Sequence, residues 1–286
     1  MLALLPVARG QDSPTPTPAQ PDVRVSASLS ARPLLVAIAR QLRDEKGLKV
    51  TISANQTSTD DIEDLAGGKA DIAFLTRPLT GEERAKHPEL DLVAVPVGMQ
   101  VPALGVSDDV WDAGVHAINQ KTMQAIYEQK MTNWKDAGGP DKKIDLFSFE
   151  EGGGIWEAFA EWLYGDNRKA PIPKVEKVAN SQDARDALEF GSGSIVPIGA
   201  GLVDGSRCHA LGIDLGGKIV QPTPAQVASG GYPMAEPLLA VLVGRPTNAN
   251  RVVTEFMTGP EGQKLIRNYG NFGLDAVPKP PPEEGY

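Results

Sequence analysis

Short apolar runs alternate with amphipathic stretches along most of this chain, and that alternation constrains the fold more than any other feature. Isolated strands need partners and helices need a face to bury, so the pattern resolves as sheets covered by helices, the α/β class. The runs at residues 23–27, 50–53, 70–75, 92–97, 101–106, 144–149, 194–198 and 238–243 read as strands. Residues 31–45 carry Leu34, Leu35, Ile38 and Leu42 at helical spacing and stop at Gly47. Residues 155–163 carry Ile155, Phe159, Trp162 and Leu163 in the same way. Further helices are expected from Asp60 to Gly67 and over 122–128, 182–190, 250–257 and 261–269. No internal repeat is visible.

With 286 residues the chain forms one large or two modest domains. Its 28 Lys and Arg against 37 Asp and Glu give a formal charge of −9, which argues against nucleic acid and anionic lipid as partners. A single cysteine, Cys208, excludes an internal disulfide framework and reads as a buried filler. The apolar start over 1–7, followed by Ala8 and Gly10, reads as the remnant of a signal peptide covering 1–10 and implies export to the periplasm or cell envelope. Residues 11–22 form a Pro-rich linker and 279–286 a Pro-rich acidic tail, and no apolar run is long enough for a membrane helix.

Three junctions share one design, in which a strand ends, small or hydroxyl residues follow and a helix begins: Ser26 to Ser30, Thr57 to Asp60, and Gly152-Gly153-Gly154. A helix start presents unpaired N–H groups and partial positive charge, and small residues let a ligand reach them. Such turns gather at the carboxyl ends of strands, where open α/β sheets bind ligands. Each turn taken alone is also what an ordinary N-cap looks like. Arg77 at the end of the 70–75 strand has three readings: a guanidinium turned toward an anion, a solvated loop arginine, or an ion pair with Glu82 or Glu83.

No catalytic apparatus assembles from the sequence. The match to a phosphate-binding loop at 212–218 lacks the following Ser or Thr, with Ile219 in its place. His87, His116 and His209 are scattered, so no metal site is expected, and Glu150 and Glu151 would point to opposite faces of a strand. Asp108, Asp109 and Asp112 read as a solvated loop or a helix start. Phe149 and Trp156 read as core or as the wall of a less polar pocket. No cofactor is implied.

Four segments in order carry a resemblance. Residues 121–134 (KTMQAIYEQKMTNW), 230–239 (GGYPMAEPLL), 256–270 (FMTGPEGQKLIRNYG) and 68–79 (GKADIAFLTRPL) resemble motifs of the phosphate-binding proteins that serve bacterial phosphate ABC importers. The likeness spans roughly residues 23–278. It implies a two-lobed type II periplasmic-binding-protein fold with a central, mostly parallel sheet in each lobe and an interlobe cleft. It divides the chain into lobe one (23–103 and 232–278) and lobe two (104–231), with crossings near 99–104 and 231–236.

The resemblance further implies a non-enzymatic, monomeric capture protein for a small anionic solute, partnered by the membrane subunits of an ABC importer. The ligand shell it implies is Ser28, Ser30, Ser58, Thr59, Thr76, Arg77, Gly152, Gly153 and Gly154. In this sequence Thr76 stands where the family has a ligand-contacting aspartate, Phe149 where it has an arginine, and Gly153 and Ile155 where it has hydroxyl residues. Losing an arginine and two hydroxyls removes on the order of 5 kcal/mol of charge-assisted hydrogen bonding, or about three to four decades of affinity for phosphate. A second reading is a sensory or scaffold module that recognises a protein or envelope component.

Overall fold

The computed structural model of this chain describes residues 22–55, 57–149 and 153–279. The signal-peptide segment, the linker up to residue 21, Gly152, the Glu150 and Glu151 pair and the tail beyond residue 279 lie outside the described residues.

The chain begins with β1 (Asp22–Ser28), α1 (Arg32–Lys46), β2 (Lys49–Asn55), α2 (Ser58–Ala66), β3 (Ile72–Leu75), α3 (Gly81–Lys86) and β4 (Leu92–Gln100). It continues with β5 (Pro102–Ser107), α4 (Asp108–Trp111), β6 (Ala117–Asn119), α5 (Gln120–Tyr127), β7 (Asp145–Phe149), α6 (Gly154–Tyr164), β8 (Glu176–Val178) and α7 (Ser181–Glu189). Then follow β9 (Ser194–Gly199), β10 (Cys208–Asp214), β11 (Ile219–Val220), α8 (Pro224–Ala228), β12 (Glu236–Val243), α9 (Asn248–Thr258) and α10 (Pro260–Asn268).

These strands make two sheets. The first has the order β2-β1-β3-β12-β4 and the second β11-β10-β5-β9-β7-β8, with β6 added beside β10. The parallel pairing expected from the sequence is found where a helix links the strands, at β1 with β2 and β3 and at β7 with β9 and β8. Strands that arrive from a crossing, such as β12 and β5, pair antiparallel with their neighbours.

Burial explains why the strands read as continuous apolar runs. Ile72 and Phe74 of β3 join the core under α1, α9 and α10, whereas Ala73 and Leu75 face the core of α2 with Ile62 and Leu65. A strand covered on both faces has no solvent side and so no polar alternation. The second sheet packs with α5, α6 and α7 in one core that holds Trp134, Tyr127 and Phe159, and the Trp134 indole donates to the Gly193 carbonyl at 2.9 Å.

The sheets connect at two places. β4 passes into β5 through the buried Val101, and residues 229–235 lead back into β12. The C-terminal segment laces the first crossing: Met99 and Phe272 exchange backbone hydrogen bonds at 2.9 Å each way, and the Tyr232 hydroxyl donates to the Pro102 carbonyl at 2.8 Å. Backbone meets backbone so closely here that a Cβ on Gly199 would lie 2.6 Å from the Gly270 carbonyl oxygen.

The sequence reading passed over α3, β6, β8, β10, β11 and α8, all short or glycine-bearing, and the helix start it considered at Asp108 is α4. The dismissed loop match at 212–218 is the end of β10 and its hairpin turn into β11, where Gly216 and Gly217 adopt positive φ. Asp109 is not merely solvated. It accepts from Ser107, Ser192, the Gly193 amide and Lys142, and its pKa stands far below the ordinary carboxylate value because those bonds outweigh the desolvation that opposes them.

Candidate functional site

A cavity of about 570 Å³ opens where the two sheets meet. One wall is the Leu29–Ala31 turn into α1, with Leu34, Phe74, Thr76 and Leu238 behind it. The opposite wall is Phe149, the Gly153 to Trp156 start of α6, and the turn into α7 at residues 179–182. Gln100 closes the floor at the crossing, and Asn268, Tyr269 and Asn271 form part of the rim. Among the described lining residues none is Asp, Glu, Lys, Arg or His. The described groups that face the cavity directly are dipoles and not charges.

The helix starts differ in what they have left to offer. Among the described residues no side chain caps the start of α6 at Gly153 and Gly154, the turn at Ser28 or the start of α1. At α7 the cap is made: Asn180 Oδ1 accepts from the Gln182 and Asp183 amides at 2.8 and 3.0 Å. α2 is closed by a capping box in which Thr57 Oγ1 accepts from the Asp60 amide at 3.3 Å and Asp60 accepts from the Thr57 amide at 3.2 Å. Two of the three turns singled out in the sequence thus face one cavity, and the Thr57 turn does not line it.

The expected ligand shell divides accordingly. Ser30, Thr76, Gly153 and Gly154 line the cavity. Ser28 is buried behind it, its hydroxyl 3.1 Å from that of Ser30. Ser58 is buried at the first turn of α2, and Thr59 is engaged elsewhere. Arg77 is absent from the lining and takes the ion-pair reading. Its guanidinium donates to both Glu83 oxygens at 2.6 and 3.0 Å and to Thr59 Oγ1 at 3.2 Å, joining the start of α2 to α3. The geometry favours this because Glu83 is also fixed by the Thr80 amide and hydroxyl, so its carboxylate is already aimed when Arg77 arrives. Burial opposes ionisation of Glu83, but the Arg77 bonds prevail and its pKa is lowered.

Phe149 and Trp156 serve in both of the capacities considered for them. Both are buried and both line the cavity, and the Trp156 indole is spent on the Tyr127 hydroxyl at 2.9 Å. A group of carboxyls lies beside the cavity without lining it. Glu157 on α6 has its pKa raised by burial, with Arg77 opposing. Glu236 at the start of β12 is pushed up to about 7 by burial and by Glu161, again with Arg77 opposing.

Several polar lining residues escaped the sequence reading, among them Asn180, Ser181, Gln182, Asn268 and Asn271, and the buried one of the group is Gln100. Gln100 is 5% exposed, its carboxamide packs against Gly154 of α6, and its Nε2 has no hydrogen-bond partner among the described residues. The signal available was its polarity in an otherwise apolar run from residue 92 to 106.

Two α/β halves, joined by crossings and enclosing a cleft between helix starts, define a bilobal solute-binding protein. The chain belongs to the PBP superfamily, whose domain matches residues 12–260. It is similar to the phosphate-binding protein PstS of Bacillus subtilis (strain 168), at 24% identity over 244 residues that cover 85% of this chain and 77% of the relative. It is also similar to PstS of Staphylococcus aureus (strain USA300), at 24% over 212 residues, 72% of this chain and 64% of that one. The chain thus spans less than two thirds of the staphylococcal relative. Among solved structures it resembles the ABC-type phosphate transport receptor of Vibrio cholerae, with a TM-score of 0.67, 22% identity and coverage of 87% of this chain and 99% of the other. The PstS of Borrelia burgdorferi gives a TM-score of 0.61 at 21% identity, over 88% and 98%.

Proposed function

We propose that this protein is the solute-capturing component of an ABC importer, acting outside the cytoplasm and holding a small oxyanion, phosphate or a relative, between lobes formed by residues 23–103 with 232–278 and by 104–231. The observation that carries this reading is the cavity at the crossing, which the uncapped start of α6 and the serine turn of α1 enter from opposite walls. Backbone amides at a helix start bind an anion without a lysine or arginine. Ser30 and Thr76 add hydroxyls from the first sheet, and Gly153 and Gly154 leave α6 open to the ligand. The phosphate-binding names of the relatives point to the same class of solute.

In this reading the protein binds and releases, with no bond made or broken. Closure about the Val101 crossing brings the walls onto the solute, and a membrane partner opens them again. Phosphate itself is expected to bind weakly, because Arg77 is committed to Glu83 and no cation lines the cavity among the described residues. Titration calorimetry with phosphate, sulfate, molybdate and small organic acids tests the reading. At least one of these should bind with a stoichiometry of one, and heat from none of them overturns it.

A further inference from the structure

We propose that Gln100 Nε2 and the uncapped first turn of α6 form an uncharged oxyanion grip, and that the solute it selects is an organic oxyanion, a small acidic head on an apolar body, in preference to a free inorganic anion. This rests on the solute-capture reading and names its substrate class.

The grip follows from an unsatisfied donor. A buried carboxamide nitrogen carries two N–H groups and almost always finds acceptors. Gln100 Nε2 finds none among the described residues, although Gln100 is only 5% exposed and lines the cavity. The carboxamide lies against the first residue of α6, where a Cβ on Gly154 would come within 2.5 Å of Oε1 and 2.7 Å of Nε2. Side-chain donors and helix-start amides therefore meet at one spot, contributed by strands and helices of different sheets. An arriving oxyanion satisfies both at once and ties β4 to α6, which is the contact that closure needs.

The substrate class follows from what surrounds that spot. The cavity, at about 570 Å³, lies in the range that accommodates drug-sized ligands. Phe74, Leu34, Leu238, Phe149 and Trp156 supply its apolar walls. A compact inorganic anion placed there loses its hydration, meets no countercharge among the described lining residues and leaves the apolar walls uncovered. An organic anion loses hydration at its head as well, but its apolar body covers the aromatic and aliphatic walls and offsets that cost.

Phenylphosphonate, benzoate and inorganic phosphate, titrated into the wild-type protein at pH 6, separate the possibilities. At least one organic anion should bind ten times more tightly than phosphate. Phosphate binding as tightly as both overturns the substrate class and leaves the capture reading standing, whereas silence from these and from sulfate and molybdate overturns both. Gln100→Glu keeps the size of the side chain and opposes an anion, and should weaken binding of the organic anion at least tenfold. Gln100→Leu removes the orphaned donors, so it should weaken binding by a similar factor while the unfolding midpoint of the unliganded protein stays at or above the wild-type value. A lower midpoint with unchanged affinity makes Gln100 a structural anchor and overturns the grip. The wild-type comparison decides the substrate class even if a variant fails to fold.

Discussion

At the scale of single residues the most consequential group outside the cavity is Asp61. It is fully buried on α2, accepts from Ser26 Oγ at 2.9 Å and from Asn55 Nδ2 at 3.1 Å, and its second oxygen has no partner among the described residues. Burial pushes its pKa up to about 6, the Ser26 and Asn55 bonds recovering only part of the cost. The folded state therefore holds this proton at pH values where the unfolded chain has released it. Stability from this group is fully present below about pH 4 and is lost as pH rises through 6, a difference of ~3 kcal/mol above that point. Asp61→Asn should raise the unfolding midpoint at pH 7.5 and leave it unchanged at pH 4, read by thermal melts at both values. A lower midpoint at pH 7.5 would show that the carboxylate is not the liability described. Arg77→Ala gives the opposite contrast. It strands Glu83 without its guanidinium and should cost ~1–2 kcal/mol in denaturant melts, with anion affinity held within twofold. A tenfold loss of affinity at unchanged stability would return Arg77 to the ligand shell.

At the scale of elements the start of α6 carries the site, and Gly154 is the position that keeps it open. Alanine there improves helix propensity by up to ~1 kcal/mol, yet its Cβ would overlap the Gln100 carboxamide, which is held on other sides by buried surroundings. Gly154→Ala should therefore lower the unfolding midpoint despite the propensity gain and reduce solute affinity at least tenfold in calorimetry; full affinity would mean that the contact between β4 and α6 is dispensable. The glycines of this turn were visible in the sequence because a strand, small residues and an amphipathic helix follow one another. The turn at Ser58 and Thr59 showed the same signature and proved to be a closed cap, since a capping box and a ligand site draw on the same residue types and only the third dimension shows whether the cap is already filled. Helices with a broad apolar face, such as α1 with Leu34, Leu35, Ile38 and Leu42, were legible from spacing alone. β10 was not: Gly212 breaks its apolar run, and the reason for that glycine is Ile219 on the partner strand, 2.5 Å from where a Cβ would be. Gln100 went unread because its partner lies across the cleft, 54 positions away by the difference of 154 and 100.

At the scale of the molecule, binding depends on how readily the halves approach, and the carboxyls beside the cleft make that approach depend on pH. Glu236 sits at the start of β12, paired in register with Gln100 of β4, while Glu157 and Glu161 project from α6 on the other half. Burial and the charge of Glu161 push the Glu236 pKa up to about 7, against the attraction of Arg77, so the group changes charge within the physiological range. Protonated, Glu236 tolerates α6 nearby. Ionised, it repels Glu161, and moving α6 closer deepens both the repulsion and the desolvation. Glu157, whose pKa burial also raises, adds to the same side of the balance as it ionises. Closure is therefore favoured below pH 7 and opposed above it, and the affinity of any solute that needs closure should fall as pH rises from 6 to 8. Benzenesulfonate is the probe to use, since its own charge is constant over that range and it carries the acidic head and apolar body the cavity fits. Affinity should drop several-fold across the interval in the wild type, and Glu236→Gln should flatten the profile at its low-pH level without altering affinity at pH 6. Equal slopes in the two proteins would remove Glu236 from control of closure, leaving the cavity's dipoles as the sole determinant of binding.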